Sequence, residues 1–310
     1  MSRIPLAQLP TPLEEAPRLS EALGVRLLVK RDDLTGLALG GNKARKLEHL
    51  VADACAQGCD TLIAAGGLQS NFARMTAAAA ARVGMRCHLV LGGHAPERVT
   101  GNLVLDHIFG ATLHFVGSGD WRVLEAGVEK LAQELGRGAY PMPIGGATAV
   151  GALGYVHAAD EIVAQLPALP DWLVVADGSG GTHAGLLAAL PTSIKILGID
   201  VARPPVPHRQ RIPALAAQTA QLAGRPLPGG ELHLSDHTGT KYGSVTQESI
   251  DAIHLAARTE GLLLDPVYSG KALAGLRAAI RGGLVSGTVV FLHTGGAPAL
   301  FADGYAEVVS

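Results

Sequence analysis

The sequence predicts an α/β protein with largely parallel sheet and helices on both faces. Three observations point there. Short aliphatic or β-branched runs alternate with Ala/Leu-rich stretches along nearly the whole chain, and several runs end in glycine-rich punctuation. The 310 residues also carry 40 glycines and only 4% aromatics. Such alternation builds βα units, and glycine suits their tight connections.

Taken in order, strands are predicted at 27–30, 61–65, 86–91, 112–116, 172–176, 194–201, 262–267 and 288–293. Each is short and bounded by turn residues. Helices are predicted near 43–57, 70–83, 100–109, 121–135, 150–166, 181–189, 246–260 and 269–281. The Pro-rich stretches 203–213 and 225–230 read as surface connections. Open α/β sheets gather ligands at the carboxyl ends of their strands. The loops Gly66-Gly67, Gly92-Gly93, Gly145-Gly146, Gly178-Ser179-Gly180-Gly181 and Gly295-Gly296 are therefore the first places to look for a site.

A formal charge of −2 gives nucleic acid or an anionic membrane no electrostatic pull on the chain. The three cysteines, Cys55, Cys59 and Cys87, argue against a disulfide framework and fit a reducing cytosol. The opening residues lack the apolar core of a signal peptide, and no run of 18 or more apolar residues suggests a membrane span. A cytoplasmic globular protein is expected.

Several familiar motifs miss. Gly36 and Gly41 precede Lys43, but a phosphate-loop lysine would fall one place late, with no Ser or Thr after it. His183 stands where a dinucleotide fingerprint needs its third glycine. There is no G-x-S-x-G elbow and no H-E-x-x-H pair. Cys55/Cys59 and His233/His237 lack further ligands nearby, so no metal site is expected.

What survives is a set of loops. Gly40-Gly41-Asn42-Lys43 puts Lys43 in the first turn of a helix, where the dipole and desolvation lower an amine's pKa. A Schiff-base lysine needs that shift to be nucleophilic near neutral pH. Gly67-Leu68-Gln69-Ser70-Asn71-Phe72 offers donors for an anion such as a carboxylate, or simply a helix cap. The small residues Gly178-Ser179-Gly180-Gly181-Thr182 form a natural phosphate cradle, and His293-Thr294-Gly295-Gly296 presents a hydroxyl after the last strand.

Together, and in this order, these blocks resemble the tryptophan-synthase-β-like (fold type II) family of pyridoxal-phosphate (PLP) enzymes. The branch is the one holding 1-aminocyclopropane-1-carboxylate (ACC) deaminase and D-cysteine desulfhydrase. The similarity runs from Pro10-Thr11-Pro12-Leu13 and Lys30-Arg31-Asp32-Asp33 through Thr100-Gly101-Asn102, Gly154-Tyr155 and Tyr242-Gly243 to Asp265-Pro266-Val267-Tyr268 and Thr294-Gly295-Gly296-Ala297-Pro298. It implies two α/β domains, each a mainly parallel twisted sheet flanked by helices, with PLP in the cleft between them. Residues 1–46 and 155–310 would form the large domain, and 47–154 a smaller inserted one. A homodimer is also implied.

The resemblance further implies that Lys43 carries PLP as a Schiff base and serves as base for the α-proton. Asn71 would lie near the cofactor's 3′-oxygen and Ser70 near the substrate carboxylate or a transferred proton. Gly178, Ser179, Gly180, Gly181 and Thr182 would hold the phosphate, and Thr294 would face the pyridine nitrogen. Tyr242 and Tyr268 match two active-site tyrosines. The implied reaction is β-elimination from a small amino acid: D-cysteine to pyruvate, sulfide and ammonia. A neutral hydroxyl at the pyridine nitrogen suits a reaction whose leaving group drains the carbanion's charge quickly.

ACC deaminases resemble Asp-Pro-Val-Tyr-Glu-Gly and His-Leu-Gly-Gly at the last two blocks. Here Ser269, a candidate substrate contact, and Thr294 side with the desulfhydrase pattern. Cysteate sulfo-lyases share the motifs and compete, as does a PLP-binding protein without turnover. Phe72 departs from the polar residue usual after Ser-Asn. Either it faces the substrate and alters specificity, or it points into helix packing.

Overall fold

In the computed structural model, residues 2–309 are described. In chain order the strands are β1 (Leu13–Glu15), β2 (Arg26–Lys30), β3 (Thr61–Gly66), β4 (Arg86–Leu91), β5 (Thr112–Phe115), β6 (Ala139–Pro141), β7 (Trp172–Asp177), β8 (Lys195–Asp200), β9 (Leu232–Asp236) and β10 (Thr288–Leu292). The helices are α1 (Pro17–Leu23), α2 (Lys43–Ala56), α3 (Asn71–Val83), α4 (Asn102–Ile108), α5 (Trp121–Leu135), α6 (Ala149–Gln165), α7 (Gly181–Leu187), α8 (His208–Leu222), α9 (Gln247–Glu260), α10 (Ser269–Arg281) and α11 (Ala306–Val309). The predicted α/β class is what the chain adopts.

Two sheets form. One has the order β1-β2-β10-β7-β8-β9 and is parallel except for β1. The other, β5-β4-β3-β6, is wholly parallel and falls in sequence between β2 and β7. Parallel strands covered on both faces read as continuous apolar runs, which is why β7 is buried at every position. Successive side chains alternate between faces. Val174, Leu197, Ile199, Val289 and Phe291 pack under α9 and α10, while Leu173, Val175, Ile196, Val290 and Leu292 pack under α6, α7 and α8. In the smaller sheet, Leu62, Ala64, Leu89 and Leu91 meet α2 and α3, and Ile63, Ala65 and Val90 meet α5.

Three expectations need correction. The segment 262–267 is not a strand, although Leu262 and Leu264 are buried and Leu263 is exposed as in a strand. Pro266 has no N–H to donate, and the Asp265 carboxylate captures the N–H groups of Val267, Tyr268 and Ser269. Residues 203–213 are not all surface connection: α8 starts at His208 and runs through Pro213. Burial of Ile212, Leu215, Ala216, Thr219 and Ala220 offsets the hydrogen bond that the proline forfeits, which costs about 3 kcal/mol in an isolated helix. The short strands β1, β6 and β9 and helix α1 have no counterpart among the predicted elements.

Helix α2 is fixed by a buried ionic cluster. Arg45 donates to Asp32 at 2.9 and 2.8 Å and to Glu161 of α6 at 2.9 and 2.8 Å. Lys30 bonds the Thr11 carbonyl at 2.7 Å and Gln165 at 2.6 Å, and pairs with Glu161. With most donors and acceptors satisfied, the cluster fixes how α2 sits against β2 and α6, and so where Lys43 points.

Candidate active site

A cavity of about 1100 Å³ opens where the carboxyl ends of strands from both sheets converge. Loops after β3 (Gly66, Gly67), β4 (Gly92, Gly93) and β7 (Gly178, Ser179) line it. It brings together Lys43, Ser70, Phe72, Gly178, Ser179, Tyr242 and Tyr268 from the predicted set. Gly180, Gly181, Thr182, Asn71, Ser269 and Thr294 lie in the adjoining wall rather than on its surface.

Lys43 is the first residue of α2, whose entry is held by the Asn42 N–H donating to the Thr294 carbonyl at 3.0 Å. Lys43 is half-buried and lines the cavity. Burial lowers the amine to about 8, and nearby Asp177 counters only part of that. A substantial neutral fraction is therefore present near neutral pH, as a nucleophilic amine requires.

The loop before α7 forms a cradle. His208 donates from Nδ1 to Asp200 at 2.8 Å and from Nε2 to the Gly178 carbonyl at 2.9 Å. Burial opposes its positive charge, but the bond to Asp200 and the charge of Asp177 outweigh it and raise its pKa. Arg211 Nε donates to the Ser179 carbonyl at 3.0 Å. In a trans peptide, C=O and N–H point in opposite directions. Drawing these two carbonyls outward therefore turns the N–H groups of Ser179 and Gly180 away from His208 and Arg211. Gly180 has φ +79°, and a Cβ there would lie 2.9 Å from Ile212 Cγ1, so glycine is required.

Two residues that sequence reasoning passed over complete the cradle. Lys46, one turn after Lys43 on the same helix face, is fully buried. Its amine donates to the Gly145 carbonyl at 3.1 Å and lies 2.7 Å from where a Gly181 Cβ would be. Burial, with the charges of Lys43 and Arg211, lowers its pKa well below the usual lysine value. No carboxylate bonds this amine among the described residues, so the donor set asks for an anion. Asn42 Nδ2 meets Thr182 Oγ1 at 3.0 Å, joining α2 to the same loop. The i, i+3 spacing of the two lysines was the available signal.

Ser70 caps α3, its hydroxyl accepting the Ala73 N–H at 3.2 Å, while also facing the cavity. Asn71 is oriented from behind: its Oδ1 accepts from Arg74 Nη1 at 2.9 Å and Asn102 Nδ2 at 3.2 Å. Those two bonds assign the amide, leaving Nδ2 as a donor with no acceptor among the described residues. Phe72 is 2% exposed, and its ring atoms sit 2.9 and 3.0 Å from where a Gly146 Cβ would be. It is core packing and cavity wall at once.

Tyr242 and Tyr268 face each other, ring centroids 6.2 Å apart, with their hydroxyls hydrogen-bonded. Tyr242 Cε1 lies 3.0 Å from a would-be Gly67 Cβ and Tyr268 Cε1 lies 3.1 Å from a would-be Gly178 Cβ. Although part of the Tyr242 ring faces solvent, its hydroxyl is desolvated, which pushes it up to about 12; Tyr268 is raised further. Both are therefore protonated donors at neutral pH. Asp265 sets Tyr268 in place by accepting its N–H at 2.9 Å. The Ser269 hydroxyl is committed to Asp265 at 2.6 Å, and Thr294 is buried with no hydrogen bond to its hydroxyl among the described residues.

The family model described as pyridoxal-phosphate dependent enzyme matches residues 4–295. A D-cysteine desulfhydrase from Salmonella typhi is 42% identical over 317 residues, covering 97% of this chain and 95% of that protein. A putative 1-aminocyclopropane-1-carboxylate deaminase from Pyrococcus abyssi is 40% identical over 312 residues, covering 97% of this chain and 94% of that one. The solved structure of an ACC deaminase homologue superposes with a TM-score of 0.91 at 38% identity, covering 100% of this chain and 95% of its own. A bacterial threonine deaminase, with TM-score 0.66 and 22% identity over 92% of each chain, shares the fold. An amine of lowered pKa, a second buried amine without a carboxylate partner among the described residues and a glycine cradle fit a phosphorylated aldehyde cofactor, and this chain belongs to the pyridoxal-phosphate-dependent enzyme family.

Proposed function

We propose that this protein is a PLP-dependent lyase that eliminates the β-substituent of a small amino acid, D-cysteine foremost, giving sulfide and an unsaturated product that one water hydrolyses to pyruvate and ammonia. The observation that carries the reading is the Lys43 amine, with pKa about 8, on the wall of a cavity shared with a pair of protonated tyrosines. Lys43 would hold the cofactor covalently. Lys46, Ser179, Gly180, Gly181 and Thr182 would hold its phosphate, Asn71 Nδ2 would donate to its ring oxygen, and the Thr294 hydroxyl would face its nitrogen. When bound, the cofactor supplies an electron sink for charge left at the substrate Cα.

The remaining chemistry falls to the chain. Lys43, freed when the substrate's amine replaces it, would take the α-proton. Ser70 offers a hydroxyl to the substrate carboxylate from the start of α3, where the helix dipole also favours an anion. The hydroxyl pair of Tyr242 and Tyr268 donates a proton to the departing sulfur as the Cβ–S bond breaks. Phe72 gives the cavity an apolar wall that suits a thiol.

In this reading, residues 1–46 with 155–310 form the large domain and 47–154 the inserted one, which the two separate sheets support. The implied homodimer would bury the exposed apolar side chains Leu39, Leu263 and Phe301, which share one groove. No helix among the described residues is long and apolar enough to cross a membrane. Its three cysteines are free, which suits the cytoplasm.

The test combines trapping with products. Borohydride reduction of the cofactor-loaded protein should leave the mass tag on the Lys43 peptide, and Lys43→Ala should lose both the tag and the absorbance near 410 nm. Sulfide and pyruvate should then appear from D-cysteine in a panel of D- and L-substrates. Sulfite from cysteate, or 2-oxobutanoate from ACC, as the faster product would reassign the substrate. A tag on another lysine would overturn the site.

A further inference from the structure

The C-terminal segment wraps the cavity mouth and touches both sides of it. The Asp303 N–H donates to Thr100 Oγ1 at 3.1 Å, and Asp303 pairs with Arg98 at 3.6 Å, both on the loop after β4. Ala302 Cβ lies 2.9 Å from where a Gly101 Cβ would be. Farther on, the Val309 carbonyl accepts from His254 of α9 at 2.8 Å. Between these anchors stands Tyr305, which lines the same cavity as Lys43.

The Tyr305 hydroxyl donates to the Gly243 carbonyl at 3.0 Å. Gly243 has φ +78°, a conformation that resists other residues, and a Cβ there would lie 2.6 Å from the Tyr305 oxygen. The residue before it is Tyr242, which rests on Gly67 and shares a hydrogen bond with Tyr268. The Tyr242 loop itself, between β9 and α9, has no regular structure. Its Ser244 bonds only the nearby carbonyls of Thr238 and Lys241, and Gly243 reaches the C-terminal segment through Tyr305.

We propose that Tyr305 is a positioning residue for the tyrosine pair. Its hydroxyl pins the Gly243 peptide and thereby aims the Tyr242 phenol at the reacting group, from a segment that is also anchored to the opposite lip. This rests on the reading that Tyr242 and Tyr268 act as proton donors in the reaction. Tyr305 acts through the pair: its hydroxyl bonds the Gly243 carbonyl and neither of the two tyrosine hydroxyls.

A double-mutant cycle tests it. Tyr305→Phe removes one oxygen and keeps the ring, so its thermal midpoint should stay within a few degrees of the parent in the cofactor-loaded protein. Loss of one hydrogen bond predicts a fall in kcat of roughly 3- to 10-fold, with KM changed less than about two-fold. Tyr242→Phe should fall further. The double variant should match Tyr242→Phe alone, because without the phenol there is nothing left to aim. Multiplying effects, or an unchanged Tyr305→Phe beside an impaired Tyr242→Phe, would overturn the proposal. An unchanged Tyr242→Phe would instead refute the role of the pair and end the proposal with it.

Discussion

Replacing Lys46 with methionine separates a residue that holds the cofactor from one that holds the fold. The Lys46 amine is buried, bonds only the Gly145 carbonyl among the described residues and faces the Gly181 turn. Bound phosphate would favour the charged form of this amine and make it one partner of a charge-assisted hydrogen bond, which contributes about 1.5–3 kcal/mol. Losing it should weaken PLP binding roughly 10- to 150-fold. Without cofactor the sign reverses: burial, Lys43 and Arg211 all disfavour charge on this amine in the parent, and methionine fills similar space with no polar head to desolvate. The apo variant should therefore be as stable as the apo parent, or about 1 kcal/mol more stable. The assays are PLP titration by absorbance and denaturant unfolding of apo and loaded protein, since ligand stabilisation follows RT ln(1 + [L]/Kd). Unchanged affinity, together with equal destabilisation of both forms, would refute the assignment and make Lys46 purely structural.

Two further outcomes follow from the buried groups. Burial works against the Glu161 carboxylate, but bonds and charge from Arg45 and Lys30 outweigh it and hold its pKa at about 2. Its contribution is thus fully present above the unfolded value of roughly 4.3 and is lost as pH falls toward 2. Allowing for partial exposure, that is on the order of 2 kcal/mol between about pH 5 and 2, and Glu161→Gln should flatten the acid limb of stability against pH; curves that stay parallel would remove Glu161 from the account. Phe72→Ala should cost about 3–5 kcal/mol by denaturant titration, because the ring is wedged against Gly146 within the apolar cluster. A cost below about 1 kcal/mol would mark Phe72 as cavity wall alone.

The parts legible in sequence were those encoded locally. Strands β7 and β10 announce themselves because both faces are covered and nearly every residue is apolar. Three of the four edge strands do not: β1 reads Leu-Glu-Glu, β6 Ala-Tyr-Pro, and β9 is only half-buried. Helix α8 was masked by prolines at its entry and by Pro213 within it, a choice that packing overrides. In the site, Lys43 and the glycine loops showed through their place after strands and at helix starts. Asp265, Arg74 and His208 did not: the first two act through buried polar contacts within four residues, on the N–H groups of 267–269 and the Asn71 amide, and His208 reaches 30 residues back to the Gly178 carbonyl. No local pattern distinguishes such residues from other buried polar groups.

Four glycines show how closely the groups around the cleft pack, two of them between its two sides and two within the larger one. Gly67 and Gly145, in loops leading from the smaller sheet, receive Tyr242 and Ser179 from the larger-sheet side. Gly178 and Gly181, in the loop after β7, receive Tyr268 and the Lys46 amine. At each of these positions a Cβ would stand between 2.4 and 3.1 Å from the group it meets, closer than side chains normally approach. Alanine at any of them would therefore push a functional group by several tenths of an ångström. Positioning worth orders of magnitude in rate depends on shifts of that size. On the proposed reading these glycines belong to the geometry of the reaction: by presenting no side chain, Gly67 and Gly145 let Tyr242 and Ser179 approach from the other side, and Gly178 and Gly181 leave room for Tyr268 and Lys46.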